Sequence, residues 1–217
     1  MPLVISLSGF KGSGKDTAAL LMRSKMPFES LSFAAPLKEA LAAMFGWPRD
    51  LLDGTTPESR AWRETPDIYW SDQFGHTVTP RFVLQHFGTD VVRQHMLDNF
   101  WIAAVQKQIE NSNSNIIVTD ARFPNELDMV RKLGGITVRI KRGEEPWWYQ
   151  PSVGLNRLPR WLAKAVLLFR PKLRQVHISE RAWIGYSFDF EIENNGSLAD
   201  LEQKIELLLQ KVGKPPL

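Results

Sequence analysis

The sequence contains no cysteine, and this absence excludes several kinds of site. Without thiols the chain forms no disulfide, has no thiolate nucleophile and binds no zinc through sulfur. A chain without cysteine also fits a cytoplasmic location. No stretch approaches the roughly 20 apolar residues that cross a membrane. The apolar start, MPLVISLS, lacks a basic region and is not expected to be a signal peptide.

The sequence also lacks a large excess of one charge, since it contains 27 Lys and Arg and 24 Asp and Glu. A net charge of +3 is too small to predict nucleic-acid binding by itself. Residues 142–181, however, hold eight Lys or Arg against three Glu, so we expect this segment to meet an anion. Its interleaved Trp residues keep a nucleic-acid-associated ATPase open as an alternative.

Short apolar runs alternate with helical patterns, which predicts an α/β fold with three α/β/α layers around a parallel sheet. The predicted strands are 3–8, 29–33, 115–119, 136–140 and 188–192. The predicted helices are 16–26, 36–45, 80–97 with a break at 88–90, 100–110, 124–133 and 197–212. Two irregular excursions, 46–79 and 142–187, interrupt what we interpret as a single domain.

A glycine-rich loop follows the first predicted strand and precedes the first predicted helix. Its sequence, GFKGSGKDT, has the spacing of a phosphate-binding loop in which backbone N–H groups surround the phosphates. Asp16 stands where such loops normally carry Ser or Thr, and Thr17 follows one position later. We expect the loop to bind ATP through Gly9, Lys11, Gly12, Ser13, Gly14, Lys15, Asp16 and Thr17. The alternative is a surface turn before a helix.

A second polar group follows the strand NIIVT, where ligands bind at the carboxyl edge of a parallel sheet. Asp120 suits magnesium or a proton from an attacking oxygen, and Arg122 suits a phosphate. In the alternative interpretation both residues only form a charged surface turn.

Six short motifs together resemble the deoxynucleoside monophosphate kinases of tailed bacteriophages. They are SGKDT (13–17), PLK (36–38), LQHFGTD (84–90), DAR (120–122), HISE (177–180) and NNGSL (194–198). Each is weak alone, but all six occur in the family's order and span most of the chain. The segment 142–187 is longer than is usual in the family.

The resemblance implies a nucleoside monophosphate kinase fold that uses ATP and Mg²⁺ to phosphorylate a deoxynucleoside monophosphate. It implies an acceptor-binding part over 34–112 and a lid over 142–187. It also implies a homodimer in the host cytoplasm, if a phage encodes the chain, with no stable nucleic-acid or membrane binding. Other P-loop kinases, of phosphomevalonate or dephospho-coenzyme A, remain alternatives, because their loops are related. A nucleotide-binding regulator without turnover is a further alternative, against which Lys15, Asp120 and Arg122 argue.

Roles are carried over to matching positions as expectations. Catalysis is assigned to Lys15, Asp120, Arg122 and Arg142, and the metal to Asp16, Thr17 and Asp120. Asn195 is expected near the adenine. The acceptor residues are expected to be Lys38, Arg63, Gln85, Asp90, Arg93, Trp101, His177 and Glu180. For Trp101 a place in the core, for Arg93 a surface salt bridge and for His177 and Glu180 a structural contact are the alternatives.

Overall fold

The computed structural model describes residues 2–97 and 99–213, without the side chains of residues 93, 94 and 96. It divides into two compact units, Met1–Ser32 with Ile109–Leu217, and Phe33–Gln108. The first carries the sheet and the second is helical. Among the described residues, no helix is long and apolar enough to cross a membrane.

The first unit is built on five parallel strands: β1 (Val4–Ser8), β2 (Phe28–Leu31), β3 (Asn115–Val118), β4 (Ile136–Lys141) and β5 (Phe190–Glu193). Their order in the sheet is β2-β3-β1-β4-β5, and each neighbouring pair is parallel. The central strand β1 is buried along its whole length, as expected for a strand covered on both faces. The predicted α/β fold with a parallel sheet is therefore confirmed.

Helices of the first unit cover this sheet. Helix α1 (Lys15–Lys25) packs against α12 (Leu198–Val212), and their apolar sides bury Ile5 and Leu7 of β1. Helix α7 (Pro124–Lys132), which follows β3 in the chain, contacts β1 and β4. Because successive residues of a strand point to opposite faces, complete burial of β1 requires cover on both.

The second unit consists of helices. They are α2 (Ala35–Phe45), a 3₁₀ turn (Leu51–Asp53), α3 (Pro57–Glu64), α4 (Ile68–Phe74), α5 (Pro80–Gln85), a π-helix (His86–Met96) and α6 (Phe100–Glu110), which continues into the first unit. The excursion 46–79 was predicted to be irregular, but it holds α3 and α4. The side chains of Thr56 and Asp67 cap these helices by accepting hydrogen bonds from backbone N–H groups. The caps were not recognised in the sequence, because the surrounding Pro, Gly and Trp residues are typical of loops.

The excursion 142–187 also contains helices. They are short and belong to the first unit: α8 (Tyr149–Asn156), α9 (Arg160–Leu168), α10 (Pro171–Arg174) and α11 (Ile178–Arg181). The predicted break at 88–90 falls in the π-helix, a form that often marks functional positions.

Candidate active site

The glycine-rich loop lies between the buried strand β1 and the first turn of α1. Gly14, immediately before α1, has a φ of +91°, which side-chain-bearing residues rarely adopt. A Cβ at this position would lie 2.2 Å from Nδ2 of Asn194. The loop therefore depends on glycine here for both its backbone conformation and its close contact with a neighbouring side chain.

Asn194 holds the loop from the end of β5. Its Nδ2 donates a hydrogen bond of 2.9 Å to the carbonyl of Ser13, and the residue is only 8% exposed. Its own backbone N–H donates to the carbonyl of Lys141. Asn195, the residue expected near adenine, is exposed, and its Oδ1 accepts the N–H of Gly143. The sequence indicated the turn but not which of its two asparagines touches the loop.

Two adjacent residues in the first turn of α1 differ in exposure. The side chain of Lys15 is 16% exposed and that of Asp16 is 81% exposed, and Nζ of Lys15 lies 3.4 Å from Oδ1 of Asp16. A carboxylate in the first turn suits the positive end of the helix dipole. Thr17 is exposed, as are Lys11 and Gly12. The loop thus presents a lysine, an accessible carboxylate and a hydroxyl together.

Hydrogen bonds connect the end of β1 and the residue after β2 with the loop that follows β3. Oγ of Ser32 donates a 2.6 Å hydrogen bond to Oδ2 of Asp120, and Oγ of Ser8 donates to the carbonyl of Ala121. Because these strands are parallel, their carboxyl ends meet at one edge, and Asp120 lies there. The contact of Ser32 with Asp120 was not predicted, because no local pattern in the sequence indicates it.

Arg122 pairs with Glu180 of α11 through a 2.5 Å contact between NH1 and Oε1. Each side chain is about one third exposed, so the pair remains accessible. Glu126, which is 2% exposed, fixes the backbone before α7 by accepting the N–H groups of Arg122 and Phe123. The structure thereby joins two motifs that are separate in the sequence, Asp-x-Arg and His-x-Ser-Glu.

Aromatic rings from 142–187 pack against the phosphate loop. The ring of Phe10 lies 5.1 Å from that of Trp148 and 4.8 Å from that of Trp183. The guanidinium of Arg139, on β4, lies over the rings of Tyr149 and Trp183 at 5.0 and 5.3 Å. It also pairs with the carboxylates of Glu145 and Glu191. Part of the excursion is therefore a wall beside the loop.

Two other residues of this excursion, Arg142 and His177, were expected at the site, and they lie in different surroundings. Arg142 is exposed, just after β4. His177 caps α11, and its Nδ1 accepts the N–H of Ser179. Arg181, beside Glu180, is 8% exposed, and burial lowers the pKa of its guanidinium.

In the second unit, two cations share one carboxylate. Nζ of Lys38 and NH1 of Arg49 lie 2.9 and 2.8 Å from the same oxygen of Asp53. Burial alone would raise the pKa of Asp53, but its hydrogen bonds with Arg49 and Lys38 outweigh burial and lower the pKa. Lys38 is thus already paired in this unit.

Arg63, at the end of α3, is placed differently. Its guanidinium lies over Gly54, where a Cβ would come within 1.9 Å of NH2. Burial, its main influence, lowers the pKa of the guanidinium. Within the described residues, no carboxylate lies within 4 Å of it, and its buried Nε has no hydrogen-bond partner. A buried N–H group without a hydrogen-bond acceptor destabilises the fold, and an anion bound here would accept that hydrogen bond.

The remaining acceptor candidates follow along the chain. Gln85 ends α5 and is half-buried, and Oδ2 of Asp90 lies 3.1 Å from Nδ1 of His86. Trp101 is 5% exposed in the core of the unit, and its Nε1 donates to the carbonyl of Gly88. This is the core placement that the sequence left as the alternative. The side chain of Arg93 lies outside what the structure describes.

Comparisons with known proteins agree on one family. A family model for deoxynucleotide monophosphate kinase matches residues 54–147. A protein of Acanthamoeba polyphaga mimivirus, described as a deoxynucleotide monophosphate kinase, is 36% identical over 154 aligned residues, and the match covers 64% of this chain and 74% of that one. The deoxynucleoside-5′-monophosphate kinase of Escherichia phage T5 is 23% identical over 182 residues, covering 61% and 73%.

Among solved structures, the fold resembles a shikimate kinase from Bacteroides thetaiotaomicron. The two share 14% identity over 98% of this chain and 99% of that one, with a TM-score of 0.47. A similarity of this degree carries no argument about the reaction.

Proposed function

The chain belongs to the deoxynucleotide monophosphate kinase family, and on this premise we propose that it phosphorylates a deoxynucleoside monophosphate with ATP. One observation of the structure supports this most: the ion pair between Arg122 and Glu180. Arg122, a type of side chain that binds phosphate, follows Asp120 at the sheet edge beside the glycine-rich loop, and the pair adds Glu180 of α11 to the same edge. The products are a deoxynucleoside diphosphate and ADP.

On the donor side, we assign the polyphosphate of ATP to the loop between β1 and α1. Its backbone N–H groups and the N-terminus of α1 attract the β- and γ-phosphates, and Lys15 adds a full charge. Thr17 is assigned to the α-phosphate. The buried hydrogen bond from Asn194 to Ser13 supports this role, because a fixed loop loses little entropy when phosphate binds.

In the transfer step, an oxygen of the acceptor's phosphate forms a bond to the γ-phosphorus. The bond from that phosphorus to the bridging oxygen breaks, and ADP leaves with the electron pair. An acceptor phosphate is largely deprotonated at neutral pH, so the step requires no general base. Positioning and neutralisation of charge supply most of the rate enhancement. We assign these tasks to Lys15, Arg122 and Arg142.

Mg²⁺ is the metal that we expect with ATP. Within the described residues no three His, Asp or Glu cluster as a metal site of their own. A magnesium ion bound with a nucleotide needs only one or two carboxylates, because phosphates and waters complete its oxygen ligands. Asp16, Thr17 and Asp120 fit that donor chemistry. When bound, the ion would neutralise charge on the transferring phosphates.

For the acceptor, we assign the second unit, in agreement with the expected part over 34–112. Arg63 is our first candidate for the monophosphate, since it is half-buried and, among the described residues, no carboxylate lies within 4 Å of its guanidinium. Lys38 would have to interact with a phosphate while it is paired with Asp53. Gln85 and Asp90 are proposed for the base or sugar. His177 and Glu180, which belong to the first unit, remain proposed substrate-binding residues.

The segment 142–187 is proposed as the lid that excludes water during transfer. We further propose a homodimer located in the host cytoplasm, where the diphosphate would enter viral DNA synthesis. Light scattering of the purified chain would measure the mass of the assembly.

The function is tested by incubating the protein with ATP, Mg²⁺ and each of dAMP, dCMP, dGMP, dTMP and dUMP in turn. Chromatography then separates mono- from diphosphates. We expect at least one acceptor to be converted by the wild type and none at a comparable rate by Lys15→Ala. If no monophosphate is converted although ATP binds, the proposed function is wrong.

A further inference from the structure

The excursion contains a surface, residues 157–174, to which we have assigned no contact with either nucleotide. Residues 146–179 include six Lys or Arg and no Asp or Glu. All six lie between 157 and 174, on and around α9 and α10: Arg157, Arg160, Lys164, Arg170, Lys172 and Arg174. Every one of them is exposed. Such a density of one charge on a chain with a net charge of +3 requires an explanation.

Large apolar side chains are exposed on the same segment. Trp161 is 72% exposed, Leu168 68% and Phe169 86%. In α9 no residue is buried, although most of its positions are apolar. Trp161, Lys164 and Leu168 are spaced at i, i+3 and i+7, which places them on one side of a helix. The segment therefore presents cations and apolar rings to solvent together.

We propose that residues 157–174 bind the surface of an anionic lipid bilayer. The combination of Trp, Leu and Phe with surrounding Lys and Arg is the pattern of helices that lie in the membrane interface. The rings would enter the region between headgroups and acyl chains, while the cations meet lipid phosphates. This departs from the sequence-based expectation that the chain does not bind membranes.

Two other occupants fit the surface less well. A second copy that used the same segment would bring six cations against six, which is unfavourable without intervening anions. Single-stranded nucleic acid would use the cations and Trp161, but it offers no partner for Leu168, because bases stack on aromatic rings. A bilayer accommodates both classes of side chain.

The test is co-sedimentation of the full chain with vesicles at low and at higher salt. One set contains phosphatidylcholine alone and the other equal parts of phosphatidylcholine and phosphatidylglycerol. We expect binding to the anionic set that weakens at least about fivefold as salt rises, because surface charges are screened. Absence of binding to the anionic vesicles at low salt would overturn the proposal.

Two double variants separate the apolar from the electrostatic contribution to vesicle binding. The first is Trp161→Ser with Phe169→Ser, and the second is Lys164→Gln with Arg170→Gln. Each should reduce the vesicle-bound fraction about fivefold or more. The matched controls are Leu198→Ser and Lys211→Gln, exposed positions on or beside α12, and they should bind as the wild type does. Thermal melts show that each variant is folded. Equal binding by variants and controls would contradict the proposed surface.

A fluorescent single-stranded oligonucleotide and light scattering test the other occupants. If the oligonucleotide binds and competes with vesicles, and the same variants lose it, the surface is for nucleic acid and the proposal is wrong. If the wild type dimerises without binding vesicles and both double variants are monomers, the surface is a subunit interface, which also contradicts the proposal.

Discussion

The phosphate loop and the cations of the second unit hold their functional groups in different ways. In the loop, the backbone is fixed by Gly14, by the amide of Asn194 and by the ring of Phe10 against Trp148. In the second unit, the cationic groups are at the ends of long side chains. Whether each is ion-paired depends on a carboxylate from another part of the chain. Lys38 is paired with Asp53, whereas Arg63 has no carboxylate within 4 Å among the described residues.

This difference explains why a motif identifies one site and not the other. A backbone site is encoded by consecutive residues, so spacing in the sequence predicts it. A side-chain site depends on which carboxylate lies nearby after folding, and that is not visible in a local pattern. We therefore expect losses in the loop to abolish the reaction and losses in the second unit to affect acceptor binding.

The largest effect is expected for Lys15→Ala. Loss of a full charge beside transferring phosphates should lower kcat about 10³-fold. Steady-state kinetics with the best acceptor measures it, and Arg23→Ala, an exposed cation on the same helix, is the control. A kcat within about threefold of wild type would show that Lys15 takes no part in phosphoryl transfer.

Arg122→Ala should be the next largest, with kcat lowered about 10²-fold, because an arginine at the sheet edge no longer meets phosphate. Glu180→Gln keeps the arginine but weakens the pair, so a smaller loss of about tenfold is expected. If Glu180→Gln lowers kcat as much as Arg122→Ala does, Arg122 is not the group that acts on the transferring phosphate, and the role assigned to it is wrong.

Arg63→Ala distinguishes the second unit from the loop. We expect KM for the monophosphate to rise about tenfold or more, while KM for ATP stays unchanged. Arg60→Ala is the matched control, since Arg60 is on the same helix and donates to the carbonyls of Gly54 and Thr55. An equal rise in both KM values would mean that Arg63 maintains the fold and does not bind the acceptor.

Asn194→Ala examines the loop without touching a charge. It leaves the Ser13 carbonyl without its buried donor, which should cost about 1–3 kcal/mol of unfolding free energy. KM for ATP should rise about threefold, because the loop is less fixed before binding. Denaturant unfolding and kinetics measure the two effects, with Asn195→Ala as the control. Equal effects of the two substitutions would contradict the role assigned to Asn194.

The smallest effect concerns Asp189, in the sheet unit but outside the site. Burial alone would raise its pKa, but hydrogen bonds from Arg131 and Thr137 outweigh burial and lower it. A lowered pKa adds stability above the ordinary aspartate value of about 3.9, and this stability is lost as the pH falls through the folded value.

The stability difference between wild type and Asp189→Asn should therefore narrow as the pH falls below about 4. Unfolding by denaturant at several pH values measures it, with the exposed Asp72→Asn as the control. A difference that stays constant down to acidic pH would show that protonation of Asp189 is not the cause.

The sequence predicted much of the sheet because apolar runs and their spacing decide it. Strand β3 and helices α1, α6 and α12 lie within about two residues of the expected limits. Helices α3 and α4 were not predicted, since their caps stand among residues typical of loops. The pairing of Arg122 with Glu180 was also not predictable, because 58 positions separate them.

The proposed function requires phosphoryl transfer to a nucleotide, and the fate of the γ-phosphate tests it directly. ATP labelled at that phosphate is incubated with the protein, Mg²⁺ and the best acceptor of the five. We predict that the label appears in the deoxynucleoside diphosphate and that little appears as inorganic phosphate. Label found only in inorganic phosphate, with its release stimulated by single-stranded DNA, would contradict the assignment and indicate an ATPase.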